Sequence, residues 1–587
     1  MNIQDWTYIA EGGAHAIFAY EPQPKQNQDE CDASTNIIDN GYEYYHNKVL
    51  RIKKKDMINT IQYCHQCKNI YENNHDVSNQ KENIITKKEG ILKRHDRFQY
   101  PFISHVLREY IDDPVYINLS FNFIHSLYIK TIEGNRIKCN IPISRYKDWC
   151  IEGLEMDTLE KIKCHHCFTT STIQVSLYPN YRRHCHYQQH YLSKRNMHNV
   201  LSIEIKPKAG YIPYSPLIQP QNIVKVFHSR YEILQQLHCR NIIDKGWSSS
   251  CKVGGMQQRN QSTYNPLDLF SQEMENKTRA IKALFECPQN NLKVVYNQTL
   301  LYGHNINHIE QKNLYLEVLH GLFRQHQITC DGDIGHILQM KIEELVTNIL
   351  HHHSISLMNI VQTLQRKFDC LDVDGATVVY KRLVELCNGS LDEADELIDS
   401  DVLLFSKNVE EAEKLLRIEG LRDVNFYLSS CSDQVSSYLN LCQDFDELFL
   451  QRVRKLDPCH DTLILHEFNT WHDRANEIVA KFDRNDCVGL LQNWLLSLMM
   501  CDLSFIITLS YSTETIKHIE SNQCNHPYKF YTSPTTNTYH VLTSEGCTFQ
   551  YDIKIIDIDG KPARKLGNRE KIEQYVQKFR SSRFIRS

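Results

Sequence analysis

Apolar positions along this chain follow two different periods, and the change from one to the other divides it. In the first fifty residues TYIAEGGAHAIFAY sets a glycine pair between two β-prone runs, and KVLRI follows a polar stretch rich in Asn, Asp and Gln. That pattern predicts strands around turns and a small β-rich lobe. Residues 68–97 are polar and charged with few large apolar positions, and read as a surface excursion from that lobe. VLSIEIKPKAGYIP predicts a strand running into a proline-punctuated turn. The boundary is expected just after it, with an N-lobe over 1–210 and a C-lobe over 211–587. Beyond the boundary the period becomes helical. From Leu314 to about Glu419 apolar residues fall at helical spacing, as in IGHILQMKIEELVTNIL and DEADELIDSDVLL, with Asp and Glu on the other face. No repeat is evident, which argues against a solenoid.

With 587 residues the chain exceeds one ordinary core, so two or more lobes are expected. Hydrophobic residues make up 41% and charged residues 23%, with only 16 prolines, a globular rather than disordered composition. The formal net charge of -5 provides no global positive field for nucleic acid or an anionic membrane, so any polyanion site must be a local cluster. The 21 cysteines are an odd, scattered count, and MNIQDWTYIA lacks the basic start and apolar run of a signal peptide. Reduced thiols in the cytoplasm or nucleus are expected. The run from Leu490 to Ile507 is long enough to suggest a membrane span. Asp502 within it favours an apolar helix followed by a buried strand.

Three constellations carry candidate chemistry. In IEIKPKAG, strand alternation sends Glu204, Lys206 and Lys208 to one face. Two lysines so placed can grip separate phosphates, or can guard a solvated edge strand against aggregation. In DIKIIDIDGKPARKLGNRE an apolar strand ends in Asp557 and is followed by Lys561, Arg564, Lys565 and Arg569. A carboxylate beside cations suits a metal-bridged phosphate, although a solvated basic helix start gives the same letters. In LLSLMMCDLSFIITLS an apolar helix delivers Asp502 directly before a strand. A lone carboxylate there needs a cleft, a cation or a turn to cap. Two CxxC pairs, Cys64/Cys67 and Cys164/Cys167, have the ligand spacing of a structural Zn²⁺ site; two unrelated thiol pairs and redox chemistry remain open alternatives. His184, Cys185, His186 and the run His351–His353 read as surface groups.

The segments EGGAHAIFAY, VLRI, EIKPKAGY, YNPLDLFS, PQNNLKV, CDLSFIITL and DIDGKPARK stand in the order found in inositol-pentakisphosphate 2-kinases, which the chain therefore resembles. The resemblance implies an α+β, two-lobed inositol polyphosphate kinase-like fold. Its N-lobe would be β-rich and its larger, mixed C-lobe would carry an antiparallel sheet and a helical insertion over about 296–488. ATP with Mg²⁺ would lie in the cleft between lobes. The inositol would be held mainly by the C-lobe, and its 2-hydroxyl would be phosphorylated to give inositol hexakisphosphate. Gly12 and Gly13 would cover the ATP phosphates, with Arg51 reaching them, and Asn291 would contact the nucleotide. Asn290, Lys293, Lys206, Lys208, Lys561, Arg564 and Lys565 would meet substrate phosphates. Asp502 matches the catalytic aspartate and Asp557 the Mg²⁺ ligand. Cys501 stands where a lysine is usual, Lys565 where an arginine is, and Arg569 where an aromatic is. A monomer acting on inositol pentakisphosphate, with neither nucleic acid nor membrane as partner, is expected. A catalytically weak inositol-phosphate scaffold of the same fold is the alternative.

Overall fold

The computed structural model describes residues 6–11, 15–20, 48–53, 107, 109–111, 115–120, 172–179, 200–233, 262–297, 299–303, 309–323, 334–399, 432–453, 461–511, 528–532, 539–542, 548–558, 563 and 566. The chain forms two compact units, residues 1–97 with 112–184, and residues 98–111 with 185–587. In the first, β1 (Trp6–Glu11), β2 (His15–Tyr20), β3 (Lys48–Lys53), β4 (Val115–Ser120) and β5 (Thr172–Pro179) make an antiparallel sheet in the order β1-β2-β3-β5-β4. The strands expected on either side of the glycine pair are β1 and β2, and they pair with each other.

The second unit is built on a seven-stranded antiparallel sheet. Its strands are β6 (Leu201–Ile205), β7 (Leu292–Tyr296), β8 (Thr299–Gly303), β9 (Ser504–Tyr511), β10 (Lys529–Thr532), β11 (Tyr539–Leu542) and β12 (Thr548–Ile556), in the order β10-β11-β12-β9-β6-β7-β8. Strand β6 bonds to β7 on one side and β9 on the other, and all five of its residues are buried. The edge-strand reading of IEIK is therefore excluded. The expected boundary at 210 also falls within this unit, because the strand it was meant to follow is central to the second sheet.

Ten α-helices are described: α1 (Pro266–Phe270), α2 (Met274–Glu286), α3 (Ile309–Phe323), α4 (Ile334–His352), α5 (Asn359–Phe368), α6 (Asp372–Leu386), α7 (Leu391–Asp399), α8 (Asp433–Asp444), α9 (Asp461–Val479) and α10 (Arg484–Asp502), besides the single turn Gln451–Val453. The last begins in a capping box, with the side chain of Asp483 accepting from the Asp486 N–H and that of Asp486 from the Asp483 N–H. Leu496, Met499 and Met500 of α10 pack into the cluster formed by the sheet with α2–α5, while Leu490, Leu491, Trp494 and Leu498 pack among α6, α7, α8 and α9. A helix buried on both faces needs no polar stripe, which explains the apolar run from Leu490 to Ile507. That run is the end of α10 followed by the start of β9. No described helix is long and apolar enough to cross a membrane.

Two clusters of buried polar groups lie among these helices and strands. Lys225 Nζ bonds to Asp372 Oδ2 and lies 3.3 Å from Asp374 Oδ2, and Asn222 Nδ2 donates to both oxygens of Asp374. In the histidine run at the end of α4, His352 is exposed as the sequence suggests, but His353 is not a surface group. His353 is 3% exposed, with Nδ1 3.3 Å from the Tyr110 hydroxyl and Nε2 3.1 Å from the Tyr551 hydroxyl, and His352 stacks on Phe530. The tyrosines satisfy both ring nitrogens, so the imidazole can be buried neutral. Burial, reinforced by neighbouring His352, pushes His353 down to about 3. The segment carrying Tyr110 is fixed to the sheet by the Ile555 N–H, which donates to the Tyr110 carbonyl at 2.7 Å.

Lys225→Met leaves two buried carboxylates without their cation, and is expected to lower unfolding free energy in urea by about 3–5 kcal/mol. His353 takes up a proton on unfolding at any pH between the folded value and the ordinary histidine value. Stability should therefore fall as pH falls through that window, by about 2 kcal/mol between pH 6.5 and 5 from this group. Denaturant titrations of wild type and His353→Gln at both pH values check this; the wild type should show the larger loss.

Candidate active site

Register in the second sheet brings four strand ends together. Ile205 ends β6 opposite Leu292 at the start of β7 and opposite Phe505 in β9, while Ser504 at the start of β9 faces Ile556 at the end of β12. One residue past these pairs, Lys206, Asn291 and Asp557 are brought to the same end of the sheet as Ser504. The Lys206 N–H extends the ladder by donating to the Asn291 carbonyl at 2.8 Å. Helix α10 ends at Asp502, two residues before β9, and so delivers its last side chain to this end as well.

The side chains make a charged cluster. Lys206 Nζ lies 3.2 Å from Asp557 Oδ2, and the Ser504 hydroxyl donates to the same oxygen at 3.1 Å. Burial works to lower the Lys206 value, but the carboxylates of Asp557, Glu204 and Asp502 outweigh it and hold the ammonium above the ordinary lysine range. Lys206 thus stays charged in the field of these carboxylates. Asp502 sits at a helix C-terminus, where the dipole disfavours a negative group by a few tenths to ~1 kcal/mol, so local helix propensity does not account for it.

A second ion pair crosses from β7 to β6: Lys293 Nζ is 3.1 and 3.2 Å from the two oxygens of Glu204, its partner in register. Asn291 is 2% exposed; its Nδ2 donates to the Tyr231 hydroxyl at 2.5 Å, while its Oδ1 has no hydrogen-bond partner among the described residues. Asn290 is exposed in the turn before β7.

Lys208 departs from the expected alternation. The strand ends at Ile205, and Lys208 has φ 64°, a left-handed conformation that does not continue the strand alternation of Glu204 and Lys206. The turn is clasped by its surroundings. The Tyr264 hydroxyl donates to the Pro207 carbonyl at 2.7 Å, and a Cβ on Gly210 would lie 2.1 Å from the Phe270 ring. Only glycine fits there. Gln289 and Asp557 also have positive φ, at 45° and 64°. Three of the six non-glycine residues with positive φ among the described residues therefore adjoin this sheet end, each at a cost of roughly 1–3 kcal/mol.

The structure thus gathers Lys206, Asp502, Asp557 and Asn291, keeps Lys293 on Glu204, and sets Lys208 in the clasped turn. Ser504 lies outside the sequence-predicted set; its signal is a polar residue placed directly before the apolar run Phe505–Ile507. Arg51 lies in β3 of the first unit, opposite Ile17 and Ser176 in register. Gly12, Gly13, Lys561, Arg564, Lys565, Arg569 and the candidate zinc ligands Cys64, Cys67, Cys164 and Cys167 lie outside the described residues, as do His184, Cys185 and His186. Among the described residues no group of three or more His, Cys, Asp and Glu could hold a metal ion.

The sequence is similar to known proteins. The family model described as inositol-pentakisphosphate 2-kinase matches residues 8–575. A protein of Arabidopsis thaliana named inositol-pentakisphosphate 2-kinase is 38% identical over 105 residues, 18% of this chain and 20% of the relative. One of Oryza sativa subsp. indica with the same enzyme name is 21% identical over 77% of this chain and 86% of its own length. A third, from Drosophila melanogaster, is 30% identical over 22% of each chain. With a family match that runs through both units and includes every residue of the charged cluster, the chain belongs to the inositol-pentakisphosphate 2-kinase family of phosphotransferases.

Proposed function

We propose that this protein transfers the γ-phosphoryl group of ATP to the 2-hydroxyl of inositol 1,3,4,5,6-pentakisphosphate, giving inositol hexakisphosphate. The observation that carries the reading is Lys206, held as an ammonium near Asp502 and Asp557 in a chain of this family. Both reactants are polyanions, so catalysis rests on positioning and on charge neutralisation rather than on covalent chemistry. Asp502 orients or deprotonates the attacking hydroxyl. Asp557, 32% exposed and supplying hard oxygen donors, fits a Mg²⁺ ligand. When bound, Mg²⁺ supplies charge neutralisation on the nucleotide phosphates.

Lys206 meets a substrate phosphate, and Lys208 and Lys293 extend the cationic lining. An inositol lacking one phosphate would leave one cation unmatched, so the lysines also discriminate between substrates. The buried Oδ1 of Asn291 suits a donor such as a hydroxyl or amino group, which a nucleotide has and a phosphate oxygen lacks, in keeping with Asn291 on the nucleotide side. Arg51, Gly12 and Gly13 complete the ATP contacts, while Asn290, Lys561, Arg564 and Lys565 complete those to the inositol phosphates. The odd, scattered cysteine count goes with a cytoplasmic or nuclear protein.

Incubating the purified protein with ATP, Mg²⁺ and inositol 1,3,4,5,6-pentakisphosphate and resolving products by anion exchange tests the reaction. Hexakisphosphate is expected; tight pentakisphosphate binding without turnover would favour a scaffold instead. Asp502→Ala should lower kcat by ~10²–10⁴ with ligand binding nearly intact, and wild-type turnover would remove Asp502 from the mechanism. Lys206→Ala should raise KM for the inositol substrate by about 10- to 100-fold, the worth of one charge-assisted hydrogen bond. An unchanged KM with every inositol phosphate tried would set Lys206 outside the site.

A further inference from the structure

Gln365 lies on α5, outside the charged cluster, and is fully buried. Its side-chain amide is used completely. Oε1 accepts from the Gly210 N–H at 2.9 Å, and Nε2 donates to the Lys208 carbonyl at 3.0 Å and to the Met500 carbonyl at 3.0 Å. Those three backbone groups belong to two segments far apart in sequence. Lys208 and Gly210 form the clasped turn that follows Lys206, and Met500 sits in the last turn of α10, two residues before Asp502. Carbonyls in a final helical turn lack an intrahelical partner, so Met500 has an acceptor to offer. One turn earlier the Ser497 hydroxyl donates to the backbone carbonyl of Gln365 at 2.8 Å, tying the same residue to α10 a second time.

Gln362, one turn back on α5, holds the turn alone: its Nε2 donates to the Gly210 carbonyl. The contrast separates two roles. Gln362 anchors the Lys208–Gly210 turn to α5, whereas Gln365 anchors that turn and the end of α10 to the same amide. We propose that Gln365 is a positioning residue that fixes the lysine-bearing turn relative to Asp502. The proposal rests on the phosphoryl-transfer reading, in which Lys206 and Lys208 hold the inositol and Asp502 acts on its hydroxyl. A shift of about an ångström between substrate grip and acting group is enough to cost on the order of 10²-fold in rate.

The amide itself is required. Glutamate has the same shape but sets an acceptor oxygen where the amide nitrogen faces the Lys208 and Met500 carbonyls, and can donate to one of them only when protonated. Methionine preserves volume and offers nothing to any of the three groups.

The test compares steady-state kinetics of wild type, Gln365→Met and Gln362→Met with inositol pentakisphosphate and saturating Mg-ATP, at a temperature where circular dichroism shows each to be folded. Gln365→Met should lose about 10²-fold in kcat. Gln362→Met should keep kcat within about threefold while KM rises, because only the grip is loosened. Equal effects of the two substitutions, or a Gln365→Met kcat within about threefold of wild type, would overturn the proposal. Should Gln365→Met not fold, Gln365→Glu decides: its kcat relative to wild type should fall as pH rises and the carboxyl loses its proton, and a flat ratio counts against the positioning role. A wild type that makes no hexakisphosphate overturns the function and this inference together, whereas an active wild type with unaltered variants overturns this inference alone.

Discussion

An ammonium held near two carboxylates at the end of a buried strand is the interaction on which the second unit depends. Lys206 can be there only because β6 runs through the middle of the sheet, with β7 and β9 satisfying its backbone on both sides. The same antiparallel register that pairs Ile205 with Leu292 and Phe505 brings Asn291 and Ser504 alongside, and the pairing of β9 with β12 brings Asp557. One ladder therefore brings four polar groups to one end of the sheet without any of them having to be placed by a loop alone. A one-residue slip in any of these pairs would turn each side chain to the opposite face.

Around that ladder the structure holds strained and polar elements in place by burial. The positive φ of Lys208 persists because Tyr264, Phe270, Gln362 and Gln365 enclose the turn from several sides. Asp557, also at positive φ, is held by Lys206 and Ser504. Farther out, Tyr211 continues from the turn and donates its hydroxyl to Asp369, which accepts in turn from the Asp372 N–H, and Asp372 meets buried Lys225. A continuous set of buried hydrogen bonds thus links the turn after β6 to the start of α6. Such networks give a unique geometry only when nearly every member is satisfied, which is the case for these groups.

Much of the site was legible in the sequence, and the reason is physical. Asp557 was readable because alternating apolar residues in DIKII mark a strand and its end, and β12 shows that alternation. Asp502 was readable because a carboxylate inside an apolar run demands an explanation. The centrality of β6 was harder to see, since a strand with Ser202 and Glu204 in it looks half-exposed; Glu204 is buried because Lys293 faces it across the sheet, a pairing no local window contains. Lys208 is not placed by alternation, because the strand stops at Ile205, before Pro207. His353 reads as a surface residue in the sequence because its two tyrosine partners lie about two hundred positions away in either direction. Gln365 gave no signal at all: a glutamine on an amphipathic helix reads as solvated until the two backbones it joins are seen.

The electrostatics of the cluster also bear on how an acidic chain can handle polyanions. The overall charge of -5 gives no long-range attraction, so recognition must come from cations fixed at short range. A solvent-exposed lysine would have to be ordered and desolvated as each phosphate arrived. Lys206 is already partly buried and already held at 3.2 Å from Asp557, so much of that cost is met when the chain folds. Its raised proton affinity keeps it cationic throughout the neutral range, and under the proposed function any pH dependence of phosphate recognition near neutrality must then arise elsewhere, in the phosphates themselves or in other groups of the site. Under the proposed function the carboxylates that hold it also set a condition: a phosphate can take over the ammonium fully only where the charge of Asp557 is met by another cation, so grip on the inositol and charge compensation at Asp557 would be parts of one balance.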